Sequence, residues 1–275
     1  MTPTGGSLIG FRTAGFREWP IDKTLRCLGE LGYDAVELCL EHPQMRPESL
    51  TEAACRVIAD QVREAGLQVA SVSYHGDREE PGQRQANQVR ALDLTVALGA
   101  EILILNTVAV SETVTWQQQY AELSRWLAEE LLPEAARRCL RIALEPEPGL
   151  VIGSSAEMLT LLGELKHPHL AVNLDIGHAW LTDADLPAAI KQLGPAIRHV
   201  HWEDFPAGEH RHLVPGEGDM PLADLYGVLQ AVGYGGPYVI DLFRITEAPE
   251  DFARRSLQAT RRMMALAGGD SHVPV

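Results

Sequence analysis

The chain has 275 residues, 45% hydrophobic and 22% charged, with a formal net charge of −15. That composition belongs to a globular protein with a sizeable core, and an acidic surface repels nucleic acid and anionic membranes, so neither is expected as a partner. Cys27, Cys39, Cys55 and Cys139 show no CxxC pairing and read as buried reduced thiols, no apolar run reaches the length of a membrane span, and the opening MTPTGGSLIGFRTAG lacks the features of a secretion signal, which together point to the cytoplasm.

One pattern then repeats: a short apolar run of strand character, a turn, and an amphipathic helix. LIGF (8–11) is the first run, followed by a helix over 20–32 that stops at Leu-Gly. YDAVELC (33–39) leads to a helix over 48–65, and LQVASVSY (67–74) to a helix over 83–98 that ends at Gly99. AEILILN (100–106) is followed by a loop holding Trp116 and a long helix over 117–138. LRIALE (140–145) precedes a helix with Ser154 or Ser155 as N-cap and Glu157 in its first turn. HLAVNLD (169–175) precedes a helix over 184–193, and AIRHVHW (196–202) a helix over 221–232 that Asp219 can cap. PYVIDLF (237–243) is the last run, and a helix over 249–266 closes the series.

Several of these runs are apolar on both faces, as parallel strands covered by helices are. Eight strand–helix units in about 270 residues predict an α/β fold, a closed (β/α)8 barrel of one domain spanning 1–268, with a flexible tail over 269–275. No GxGxxG follows the first run and no GxxxxGK[ST] occurs, which excludes the dinucleotide and nucleoside-triphosphate signatures.

Barrel enzymes build their sites at the C-terminal ends of the strands. The last four runs each carry a charged or ligating residue there: Glu145, Asp175, His201 and Asp241. Charges inside apolar strands are costly unless paired or bound to metal. Three carboxylates and one imidazole suit one divalent ion, Mn²⁺ or Mg²⁺ first, with Co²⁺ or Zn²⁺ as alternatives. The reading without metal is an ion-pair network around Arg198, Arg211 or Arg244. His199 shares the parity of His201, but His201 is nearer the strand end. His178, three residues past Asp175, reads as an outer-shell group, a substrate donor, or a ligand to a second metal.

The chain resembles the sugar phosphate isomerase/epimerase family, with the xylose isomerase-like barrel. The likeness rests on GYDAVEL, LEPEP, NLDIGH, HVHWED, the loop PGEGDMPL, and GYGGPYVIDLF. It implies that Glu145, Asp175 and His201 are metal ligands and that His178 contacts substrate. Asp241 stands where that family usually has Glu. The implied reaction abstracts a proton beside a carbonyl and stabilises an enediolate, with Glu145 and Asp241 as the catalytic carboxylates. His75, Glu37, and Trp202 or Trp116 are expected to line the sugar pocket. Arg211, with His212 and Arg244, lies where barrels often hold phosphate and leaves substrate phosphorylation open. The expected partner is a small carbohydrate, and self-association into a homo-oligomer is left open. Competing readings are a dehydratase or other lyase on a keto-sugar or cyclitol, an endonuclease IV-like hydrolase, and a barrel that binds without catalysis. The hydrolase needs more ligands, and the loop EHRHLVPGEGD has no Asp-x-His.

Overall fold

The computed structural model describes residues 7–243 and 247–269. Eight parallel strands close into a barrel in chain order: β1 (Ile9–Arg12), β2 (Ala35–Cys39), β3 (Gln68–Tyr74), β4 (Ile102–Leu105), β5 (Arg141–Leu144), β6 (Leu170–Asp175), β7 (Ile197–His201) and β8 (Tyr238–Ile240). β8 pairs back onto β1, with Ile9 opposite Tyr238. The helices that connect them are α1 (Ile21–Leu31), α2 (Glu52–Glu64), α3 (Pro81–Leu98), α4 (Trp116–Trp126), α5 (Leu132–Arg137), α6 (Ser155–Leu165), α7 (Ile176–Thr182), α8 (Leu186–Leu193) and α9 (Leu222–Ala231), and α10 (Pro249–Gly269) follows β8. Residues 270–275 of the expected tail lie outside the described residues.

Local chemistry explains the helix ends. Thr51 caps α2 by accepting from the Ala54 amide, and Cys55, Ile58 and Val62 form its buried face at helical spacing. α1 and α3 end at Gly32 and Gly99, at φ 90° and 82°, the left-handed closure that glycine adopts without strain. Two expectations need correction. The helix expected over 117–138 is two helices joined by a π-helical turn at Leu127–Leu131. Pro133 has no N–H to give to the preceding turn and its ring crowds the carbonyl there, so the backbone widens just ahead of it. Asp219 does not cap α9; its carboxylate accepts from the Ala207 amide at 2.8 Å. All four cysteines are free, but only Cys39 and Cys55 are buried, while Cys27 is half-buried and Cys139 exposed.

The main core lies between barrel and helices, where Leu25, Leu28, Leu92, Leu103, Ile142 and Leu225 are fully buried. A second, small apolar cluster of Ile104, Ala143 and Ala171 has the strand parity of Glu145 and Asn173 and forms the floor of the barrel interior. Above this floor the interior is polar. Register shifts between Val36 and Glu37 and between Val172 and Asn173 bring Ser71 opposite Glu37 and His199 opposite Asn173. Such bulges re-aim side chains near active sites.

Candidate metal centre and substrate cavity

Glu37, Ser71, Asn173, His199 and His201 form one buried hydrogen-bonded layer. Ser71 donates to Glu37 at 2.8 Å and lies 3.0 Å from His199 Nε2, and His199 Nδ1 lies 2.8 Å from Asn173 Oδ1. The Asn173 amide donates to Glu145 at 2.9 Å. Burial dominates at His199 and lowers its pKa to about 3, so it stays neutral.

The four expected ligands lie directly on this layer. Glu145 follows β5, Asp175 ends β6, His201 ends β7 and Asp241 follows β8; all are at most 2% exposed. His201 Nδ1 is the hub, 3.4 Å from Glu145 Oε2 and 3.7 Å from both Asp175 Oδ2 and Asp241 Oδ2. Its other nitrogen faces Glu37 Oε2 at 3.1 Å. Glu37 therefore orients the imidazole from behind, the arrangement in which a carboxylate fixes the tautomer of a metal-binding His. Burial opposes charge on His201, but Glu37 and Glu145 outweigh it and raise its pKa well above the usual histidine value. Histidine partners likewise hold Glu145 and Asp175 low against burial: His201 and His75 act on Glu145, and His178 and His201 on Asp175.

Asp175 is both a cap and a candidate ligand. Its Oδ1 accepts from the His178 amide at 2.8 Å and starts α7, while Oδ2 is buried without a hydrogen-bond partner. Asp241 Oδ1 and His178 Nδ1 are also buried without a hydrogen-bond partner. Buried polar atoms are rarely left so. Ligand atoms of one ion with bonds of about 2.1 Å stand roughly 3.0–3.5 Å apart, close to the separations here. Three candidate ligand groups overlap at Asp175: Glu145–Asp175–His178, Asp175–His201–Asp241 and Asp175–Glu203–His212. The residues fit a divalent metal with oxygen and imidazole donors.

A cavity of about 440 Å³ opens over the cluster, within the range of small-molecule sites. Glu145, Asp241, His178 and His75 line it. His75 Nε2 lies 3.5 Å from Glu145 Oε2. Burial and Arg12 oppose a proton on His75, but Glu145 and Glu41 prevail and raise its pKa to about 9. Trp202 does not line the cavity; one residue past inward-facing His201, it packs in the core against Tyr238. Trp116 is also elsewhere, donating to the Val151 carbonyl at 2.9 Å. Arg211 points into solvent and pairs with Glu209 at 3.2 Å. His212 does line the cavity, whereas Arg244 lies outside the described residues. Arg198 is exposed and takes no part in the buried cluster.

Several residues of the site escaped the sequence reading. Arg12, at the end of β1, is 4% exposed and pairs with Asp241 at 2.8 Å and Glu37 at 3.0 Å. A charged residue directly after LIGF carried the same signal as the four strand ends that were recognised. Glu41 accepts from the amides of His75 and Gly76 and holds the β3 loop. Glu203 accepts from the Gly177 amide at 2.9 Å, and burial with the charges of Asp175 and Asp241 raises its pKa well above the carboxylate range. His210 stacks on Phe205 and lies 3.1 Å from His178, and with His212 these form a three-histidine group at the rim. The PGEGD loop is structural: Asp204 accepts from the amides of Gly216, Gly218 and Met220.

Fold and site define a (β/α)8 barrel with a candidate metal centre at its C-terminal mouth. Residues 25–263 match the family model described as xylose isomerase-like TIM barrel, and the chain belongs to that family. It is 22% identical over 269 residues to fructoselysine 3-epimerase of Escherichia coli O157:H7, covering 93% of this chain and 98% of that one. Over 97 residues, 35% of this chain and 33% of the relative, it is 31% identical to 3-dehydroshikimate dehydratase of Bacillus anthracis. A solved L-ribulose 3-epimerase superposes with a TM-score of 0.79 at 18% identity, covering 98% of this chain and all of that one, which bears on the fold.

Proposed function

We propose that the chain is a sugar epimerase or isomerase that works with one divalent ion, Mn²⁺ ahead of Mg²⁺, Co²⁺ or Zn²⁺, held by Glu145, Asp175, His201 and Asp241. The observation that carries this reading is the convergence of three carboxylates on His201 Nδ1, with Asp175 Oδ2 and Asp241 Oδ1 buried without a hydrogen bond. A relative aligned over nearly the whole chain is named as a sugar epimerase, which supports the same chemistry. Among the described residues no helix is long and apolar enough to cross a membrane; the place of action in this reading is the cytoplasm, on a small carbohydrate, with the four cysteines free.

When bound, the ion supplies Lewis acidity to a carbonyl and its neighbouring hydroxyl oxygen. Glu145 and Asp241 reach the cavity from β5 and β8. In this reading one carboxylate takes the proton from the carbon beside the carbonyl, and the other returns a proton on the opposite face. Arg12 fixes the orientation of the Asp241 carboxylate through its 2.8 Å contact. His178 donates to a substrate oxygen, and His75, protonated at neutral pH, offers a second donor beside Glu145.

His75 also favours a second reading. Its proton could go to a departing β-hydroxyl, which makes the centre a dehydratase, in line with the partial match to a dehydratase. The test is proton NMR in D₂O of Mn²⁺-loaded protein with ketoses, aldoses and keto-cyclitols. Deuterium at the carbon beside the carbonyl, lost in Glu145→Gln, is the expected result. Elimination instead gives a product lacking a hydroxyl. No exchange and no elimination across the panel, with metal bound, overturns both readings.

A further inference from the structure

The cavity is asymmetric. Its β6–β8 side is walled by His178, His210, His212 and Phe243. Burial, with the nearby His178 and His212, lowers the pKa of His210, so that wall carries little positive charge from it. The opposite side runs along the loops after β1, β2 and β3. There Arg17, Arg46 and Arg78 line it, one from each loop.

These three guanidinium groups make no hydrogen bond or ion pair among the described residues. Other arginines divide: Arg26, Arg56, Arg211 and Arg254 pair with a nearby carboxylate, whereas Arg125, Arg198 and Arg262 do not among the described residues; what sets Arg17, Arg46 and Arg78 apart is that they line one wall of one cavity. On this wall they are open although acids are at hand, because Glu41, Glu48, Asp77 and Glu79 line it too. Each of those acids is engaged by a neutral donor of the fold: Glu41 by the His75 and Gly76 amides, Glu48 by Asn87, Asp77 by Asn106, and Glu79 by Tyr74 and Asn87. Arg12, on the cavity floor, is held by Glu37 and Asp241. The wall therefore offers the planar, forked donors that suit phosphate and carboxylate, and leaves them open.

We propose that the substrate is an anionic sugar, with a phosphate or carboxylate at the end remote from its reacting carbonyl, and that Arg17, Arg46 and Arg78 receive that anion. The placement of the carbonyl rests on the epimerase reading; the anion site does not. The anion lies towards the β1–β3 loops rather than at Arg211, which is turned away and paired.

Two measurements on the full chain test this separately. In calorimetry, glycerol 3-phosphate or glycerate is expected to bind where glycerol does not. Affinity is expected to fall about tenfold in each of Arg17→Gln, Arg46→Gln and Arg78→Gln, and further as salt is added. Preference for one fragment over the other identifies the anion as phosphate or carboxylate. The D₂O exchange assay then compares a ketose with its terminal phosphate and its terminal acid, and the anionic partner of the set is expected to exchange faster. Anionic fragments that bind no better than glycerol, or equally well to the triple variant, overturn the proposal. Arginine-dependent fragment binding without any sugar exchange sustains it and removes the epimerase reading. Exchange of neutral sugar at least as fast as its anionic counterparts, with no fragment binding, does the reverse.

Discussion

Glu37→Gln separates a metal centre from a simple ion-pair cluster. Glu37 never faces the cavity; it accepts from Ser71 at 2.8 Å, pairs with Arg12 at 3.0 Å and holds His201 Nε2 at 3.1 Å. The amide keeps the shape and one acceptor oxygen but loses the charge that fixes the His201 tautomer and strengthens it as a ligand. Loss of such an outer partner weakens metal binding about 10- to 100-fold, or roughly 1.4–2.7 kcal/mol. Arg12 keeps Asp241 as a counter-ion, so the fold should survive. The assay is Mn²⁺ titration followed by electron paramagnetic resonance, with thermal unfolding as the control for folding. A folded variant that binds Mn²⁺ as tightly as the parent chain would falsify the role given to Glu37.

Three further outcomes are expected. The raised pKa of His201 in the metal-free fold means that its proton stabilises that fold fully below the unfolded histidine value of about 6.5, and that this contribution fades as pH climbs through the folded value. Metal must displace that proton, so the gain in melting temperature on adding Mn²⁺ should grow with pH, and a gain that shrinks with pH contradicts the ligand role of Nδ1. Gly177→Ala places a Cβ 2.2 Å from the Phe205 ring and should cost about 1–3 kcal/mol in denaturant unfolding; a neutral result would mean that Phe205 is not packed against the start of α7. Asp204→Ala strips three loop amides of their acceptor and should cost about 3 kcal/mol, with Mn²⁺ affinity changing far less than stability.

The barrel was legible because its signal is local and repeated: an apolar run followed by an amphipathic helix, eight times over, punctuated by glycine stops at Gly32 and Gly99 and a serine cap at Ser154. Strand-end logic also placed Glu145, Asp175, His201 and Asp241 together, since β-strand parity and barrel closure leave little freedom there. Parity alone could have excluded Trp202, which follows an inward residue and so faces outward. Arg12 was missed because the first run was ended one residue early, at Phe11 instead of at Arg12. Loop residues were less legible. Arg211 and His212 are neighbours in sequence, yet one pairs with Glu209 in solvent and the other reaches the cavity, and only the three-dimensional path of the loop decides which. The Glu37–Ser71–His199–Asn173 layer depends on two register shifts, which no single-strand pattern reveals.

The ligand assignment is tested most directly by anomalous diffraction from a crystal soaked in Mn²⁺. The account predicts one peak within bonding distance of Glu145, Asp175, His201 and Asp241, absent in Asp175→Asn. A peak only at the rim, among His178, His210 and His212, or no peak under saturating Mn²⁺, would contradict it.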